Sequence, residues 1–194
     1  MKSLLNSAAA IALLMLGAAA VCAGTPALKA GVFDPPRPAP DFSLQGSDGS
    51  ELRLSRYRGN VVLLAFGYTS CPYVCPTTLA TFANTRRKLG AAGGGVQVIY
   101  VTVDPGKDNA AHLKQFLGNF DATFMGGTGT EAQLSAVRKS YGVTAQKQID
   151  GESYSYTHSS FTYLIDRKGR IRALMPYGHS ADDYVNDLTI LLKE

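Results

Sequence analysis

The chain has 194 residues, enough for one domain of ordinary size with a real core and too few for two comfortable ones. Hydrophobic residues make up 45% and charged residues 18%, with no tryptophan, a balance that excludes a disordered or collagenous chain. The formal net charge of +4 is mild, and no run gathers the basic residues into a patch, so nucleic acid is set aside as a partner.

At the N-terminus Lys2 precedes the apolar stretch AAAIALLMLGAAAVCAG, the layout of an export signal. The protein is therefore expected to be exported, either periplasmic or attached to the outer face of the inner membrane. Residues 21–23, VCA, fit a cut after Ala23 that discards Cys22 and leaves Cys71 and Cys75. Two alternatives stay open: lipidation at Cys22, and an uncleaved anchor, since the apolar run approaches the roughly 20 residues that span a bilayer.

Residues 24–40, GTPALKAGVFDPPRPAP, are rich in Pro, Ala and Gly and show no period, which reads as an extended lead-in. Folding is expected to begin near Asp41, with residues 41–194 as the domain. DFSLQGSDGSELRLS alternates about an Asp48-Gly49 turn, a hairpin signal. NVVLLAFGY is a continuous apolar run of strand length, as in a parallel strand buried on both faces. TTLATFANTRRKLG then places Leu79, Phe82, Ala83 and Leu89 at helical spacing and stops at Gly90.

VQVIYVTVDP is a second buried strand ending at a proline. NAAHLKQFL and TEAQLSAVRKSYGV read as helices, the latter with Thr130 and Gln133 spaced for a capping box. SSFTYLIDRKGRIRALMP is two strands around a turn at Asp166 to Gly169, and SADDYVNDLTILLK a closing helix capped by Ser180. This alternation predicts an α/β fold with a mixed sheet.

GYTSCPYVCPTTLA, residues 67–80, carries the chemistry. Pro72 and Pro76 tolerate only the start of a helix, so Cys71 and Cys75 belong to a strand-to-helix turn. At i and i+4 their Cβ atoms stand roughly 5 to 6 Å apart, within modest relaxation of a disulfide. Such a bridge closes a very short loop and removes little unfolded-state entropy, which argues against a mere staple. The helix start lowers thiol pKa and makes a thiolate available as nucleophile or metal ligand. Two thiolates suit a soft ion, Cu(I) above all, whereas zinc normally wants two more N or S ligands. Disulfide exchange, a metal site and a peroxidase centre all remain open on these grounds.

FGYTSCPYVCPTTL, VTVDPGKD and HSSFTYLID together resemble the signature blocks of the Sco/SenC family of copper-handling proteins. The resemblance covers about residues 38–194 and implies a thioredoxin-like fold, a central mixed sheet flanked by helices with an N-terminal β-hairpin extension. It implies copper, as Cu(I) or Cu(II), bound by Cys71, Cys75 and His158. It further implies a metallochaperone for the dinuclear copper centre of cytochrome c oxidase rather than an enzyme. The partners would be a copper-accepting oxidase subunit or other copper protein and a thioredoxin-like reductant, with membrane association possible. The competing reading is a thiol-disulfide oxidoreductase in which Cys71 attacks and Cys75 resolves, reducing the cysteines of a copper-site client.

Of the three histidines, His112 falls in an amphipathic helix and His179 in a loop before the last helix. His158 lies in polar YSYTHSS just before a strand, where a thioredoxin-like sheet turns a loop toward the cysteine helix. Asp104 and Asp108 match the family's VDPxxD pattern, which implies a structural role near the site rather than ligation. Met125 and Met175 are isolated and read as packing. Two positions depart from the family: Tyr73 and Thr157 stand where acidic residues are common, which removes negative charge near the ion.

Overall fold

The computed structural model describes residues 27–194. The export segment at residues 1–23 and the fate of Cys22 lie outside them. The chain enters through β1 (Gly31–Pro38) and the hairpin β2 (Ser43–Gly46) and β3 (Glu51–Arg53). It then forms β4 (Val61–Gly67), α1 (Val74–Leu89), β5 (Val96–Thr102), α2 (Ala110–Gly118), β6 (Met125–Thr128) and α3 (Glu131–Tyr141). A second hairpin, β7 (Ala145–Asp150) and β8 (Ser153–His158), precedes β9 (Phe161–Ile165), β10 (Arg170–Pro176) and α4 (Ala181–Leu192). Among the described residues no helix is long and apolar enough to cross a membrane.

Eight strands make one mixed sheet in the order β1-β10-β9-β4-β5-β6-β2-β3. Its centre is the parallel pair β4 and β5, in register from Val61 opposite Val96 to Gly67 opposite Thr102. Every residue of β4 is buried, so a polar alternation would have placed hydroxyls or charges in the core, and the run VVLLAFG is the result. β9 joins β4 antiparallel, with Ala65 opposite Thr162, which brings the start of β9 beside the end of β4. The ends of β4 and β5 and the beginning of β9 therefore share one edge, the edge where α/β proteins gather their sites.

α1 packs against α4 through Phe82 and Tyr184, whose ring centroids stand 5.3 Å apart. α3 closes on the sheet through Tyr141, in edge and tilted contact with Phe42, Phe66 and Tyr163. The capping box expected at Thr130 and Gln133 is present, and Ser180 caps α4 with Asp183 reciprocating.

Three features differ from the sequence reading. Residues 31–38, expected within a lead-in, pair as an edge strand with β10, the register shifting between Val32 and Arg37 where two prolines intervene. Proline lacks a donor and is tolerated at an edge, so the prolines that hid this strand also suit its position. β6, sequence MGGT, lacks a strand signature because Gly126 and Gly127 are pressed by neighbours. A Cβ on them would meet Leu113 Cβ at 2.9 Å and Leu52 Cδ2 at 2.7 Å. Finally, His158 ends a strand of the separate β7–β8 sheet rather than lying in a loop.

Candidate metal centre

The turn between β4 and α1 is tied from two sides. Cys71 N–H donates to Tyr68 O, which folds Thr69 to Cys71 back on the strand end. Asp108, fully buried, accepts from Thr69 N–H at 3.0 Å, from the Thr69 hydroxyl at 2.5 Å and from the Thr102 hydroxyl at 2.6 Å. One carboxylate thus holds the cysteine turn against the end of β5. The neighbouring Asp104 is also buried and accepts from the Tyr154 hydroxyl at 3.1 Å, linking the same edge to β8. Asp108 thus holds the turn, and Asp104 anchors the hairpin beside it.

α1 begins at Val74 without a side-chain cap. The free amides of that first turn, those of Cys75, Tyr73 and Val74, favour the thiolate of Cys71. A hydrogen bond from the Cys75 thiol is the largest influence on Cys71; these amides add to it against partial burial, and its pKa falls to about 5. Cys75 is pushed the other way, first by its bond with Cys71 and then by burial. The proton the two sulfurs share stays on the inner one. Cys75 is 3% exposed and Cys71 half-buried, and both are free thiols.

His158 reaches this pair from β8. Its Nε2 lies 3.7 Å from Cys75 Sγ, and its Nδ1 lies 2.9 Å from Ser159 O. A carbonyl can only accept, so Nδ1 carries the proton and the Nε2 lone pair faces the sulfur. The ring is held edge-on by Tyr68, centroids 6.0 Å apart, while the Tyr68 hydroxyl accepts from Tyr156 N–H. Cys75 and His158 line a cleft of about 20 Å³ with Phe161 and Tyr100 at its walls, room for one small occupant. Among the described residues no three His, Cys, Asp or Glu side chains already converge as a metal cage, so Cys71 stands beside the pair rather than inside a closed triad.

The other residues weighed from sequence fall elsewhere. His112 sits on α2 with Nδ1 3.0 Å from Lys107 O, and His179 pairs with Asp183 at 3.4 Å. Met175 is core and Met125 packs at the sheet under the Ser47 hydroxyl. Tyr73 is 76% exposed at the mouth of the turn. Sequence reasoning missed Thr69, Thr102, Tyr68 and Tyr100. The one available signal was a phenol and a threonine inside the largely aliphatic VQVIYVT, where each buried hydroxyl needs a reason.

A family model described as SCO1/SenC matches residues 34–193. A SCO2-like protein of Rickettsia prowazekii is 36% identical over 132 residues, covering 66% of this chain and 64% of its own, just under two thirds of that relative's length. The copper-bound ScoI of Bradyrhizobium japonicum aligns over 79% of this chain and 98% of its own with a TM-score of 0.74 and 31% identity. The apo Sco1 protein from Thermus thermophilus aligns over 85% and 97%, with a TM-score of 0.77 and 33% identity. The family match runs from within β1 to just past α4, and on that extent the chain belongs to the SCO1/SenC family.

Proposed function

We propose that this protein is an exported copper chaperone that carries copper to the dinuclear copper centre of a respiratory oxidase, holding it as cargo on Cys71, Cys75 and His158. Sco proteins belong to cytochrome c oxidase assembly, and copper-bound relatives share this fold. The observation that carries the reading is the 3.7 Å between Cys75 Sγ and His158 Nε2. A sulfur about 2.3 Å and a nitrogen about 2.0 Å from one ion stand roughly 3.5 to 3.8 Å apart at tetrahedral to trigonal angles. The pair is spaced for a shared occupant, with the nitrogen lone pair already facing inward.

Each residue then has a task. Cys71, a thiolate at neutral pH and half exposed, captures the ion first. Cys75 gives up its proton and closes the chelate, and His158 completes three-fold coordination. Cu(I) leaves by ligand exchange: each bond to an acceptor sulfur forms as one to this site breaks, and no electron moves. Loading needs the dithiol, so an oxidised form calls on a thioredoxin-like reductant.

The unequal thiols also favour a second reading, a thiol-disulfide oxidoreductase in which Cys71 attacks a client disulfide and Cys75 resolves the mixed disulfide. One experiment separates the two. The protein loaded with Cu(I) is mixed with the soluble copper domain of an oxidase subunit whose cysteines are reduced, and metal is assayed after the two are separated. Copper moving to the acceptor supports the chaperone. Copper staying behind, while the apo dithiol reduces the oxidised acceptor, replaces it with the oxidoreductase.

A further inference from the structure

Tyr100 stands in the middle of β5 with 1% of its surface exposed, the one phenol in a largely aliphatic strand. Its hydroxyl is buried and has no hydrogen-bond partner of normal geometry, an arrangement that works against the fold unless another state supplies the partner. The space around that hydroxyl is specific. A Cβ on Gly67, at the end of β4, would collide with the Tyr100 hydroxyl and would stand 2.7 Å from Cys75 Sγ. Hydroxyl and sulfur therefore occupy the same gap left by the missing methyl group. The ring is packed by Phe116, centroids 6.4 Å apart, and it borders the cleft that Cys75 and His158 share.

We infer that Tyr100 is a hydrogen-bond donor held in reserve for Cys75, unpaired while that sulfur is a thiol and donating to it once the sulfur is a metal-bound thiolate. This rests on the copper reading above and deepens it. A neutral thiol is a weak acceptor, whereas a thiolate is a charged one that strengthens the bond it receives. A phenol is protonated at neutral pH, so its proton is available. Tyr100 acts here as a positioning residue: it touches the ligand sulfur and tunes it without binding the ion. A bond donated to a copper-held sulfur draws electron density from the metal–sulfur bond, one of the levers that set the properties of copper–thiolate sites.

Tyr100→Phe removes the oxygen alone and tests this. The metal-free variant is expected to be as stable in urea as the wild type or more so, because an unpaired buried hydroxyl disappears. The variant's copper affinity, by competition with a chelator, is expected to fall about tenfold, and the sulfur-to-Cu(II) charge-transfer band to move to longer wavelength. An unchanged affinity and an unchanged band in a wild type that does bind copper would overturn this inference alone. A metal-free variant that is clearly less stable would also overturn it, since the hydroxyl would then already be in use. A wild type that takes up no copper defeats the copper reading and this inference with it.

Discussion

Cys71 and Cys75 divide one proton unequally because the start of α1 offers its amides to the first sulfur and the core encloses the second. The sign of the pH dependence follows. Cys71 has a folded pKa near 5, below the unfolded thiol value of about 8.5. Its contribution to stability is complete above about 8.5 and is lost as pH falls through 5. Cys75 is raised, so above about 8.5 the unfolded chain ionises where the folded one does not, and stability declines. Urea denaturation of the reduced, metal-free protein is expected to show stability climbing between pH 5 and about 8.5 and falling beyond. Cys71→Ser should flatten the climb, and a rising limb that survives this change contradicts the assignment. Asp108 makes a second prediction at this scale. Three hydrogen bonds converge on a fully buried carboxylate. Asp108→Ala is expected to cost about 2 to 4 kcal/mol in urea unfolding and to return the alkylation profile of Cys71 toward that of an ordinary thiol. A variant of wild-type stability would mean that the turn is held by something else.

The hairpin that carries His158 is the least supported element of the site. β7 and β8 pair only with each other, and nearly all of β7 and every second side chain of β8 face solvent. A two-stranded ribbon is marginal by itself. This one is pinned at Tyr156 by Tyr68, and at Tyr154 by Asp104 together with the Lys107 ammonium group 4.0 Å from the ring centre. Amide hydrogen exchange in β7 and β8 is expected to be orders of magnitude faster than in β4 and β5, and to slow on copper binding as His158 is fixed. Equal protection in all four strands would contradict this. The same exposure explains why the hairpin was illegible in sequence. AQKQID exposes nearly every side chain and has no period to read, and SYSYTH alternates but carries no aliphatic side chain to mark a buried face. By contrast β4, β5 and the four helices were legible because each buries a face or starts at a cap, and the cysteine turn because its prolines permit one geometry. The hydrogen-bond partners of Asp108 and the orphan hydroxyl of Tyr100 were beyond reach, since both depend on which strand ends meet.

At the scale of the whole molecule the sheet order explains the site. Parallel β4 and β5 deliver the cysteine turn and the aspartate pair to one edge, and antiparallel β9 returns the chain there directly after His158. Residues 83 positions apart, Cys75 and His158, are thereby brought to a common cleft. The fold expected from the alternation of strands and helices is the fold observed, and the resemblance read in three short blocks extends over most of the chain. Tyr73, exposed at the mouth of the turn, presents an aromatic surface beside the cysteines. The central claim is that two sulfurs and one imidazole hold copper together, and the most direct measurement is a titration of the reduced protein with Cu(I) against a competing chelator. Cys71→Ser, Cys75→Ser and His158→Ala are measured beside it. The account predicts one copper per chain in the wild type, loss of competitive binding in either cysteine variant and a clear weakening in the histidine variant. No stoichiometric uptake by the wild type, or a His158→Ala variant that binds as well, would contradict it.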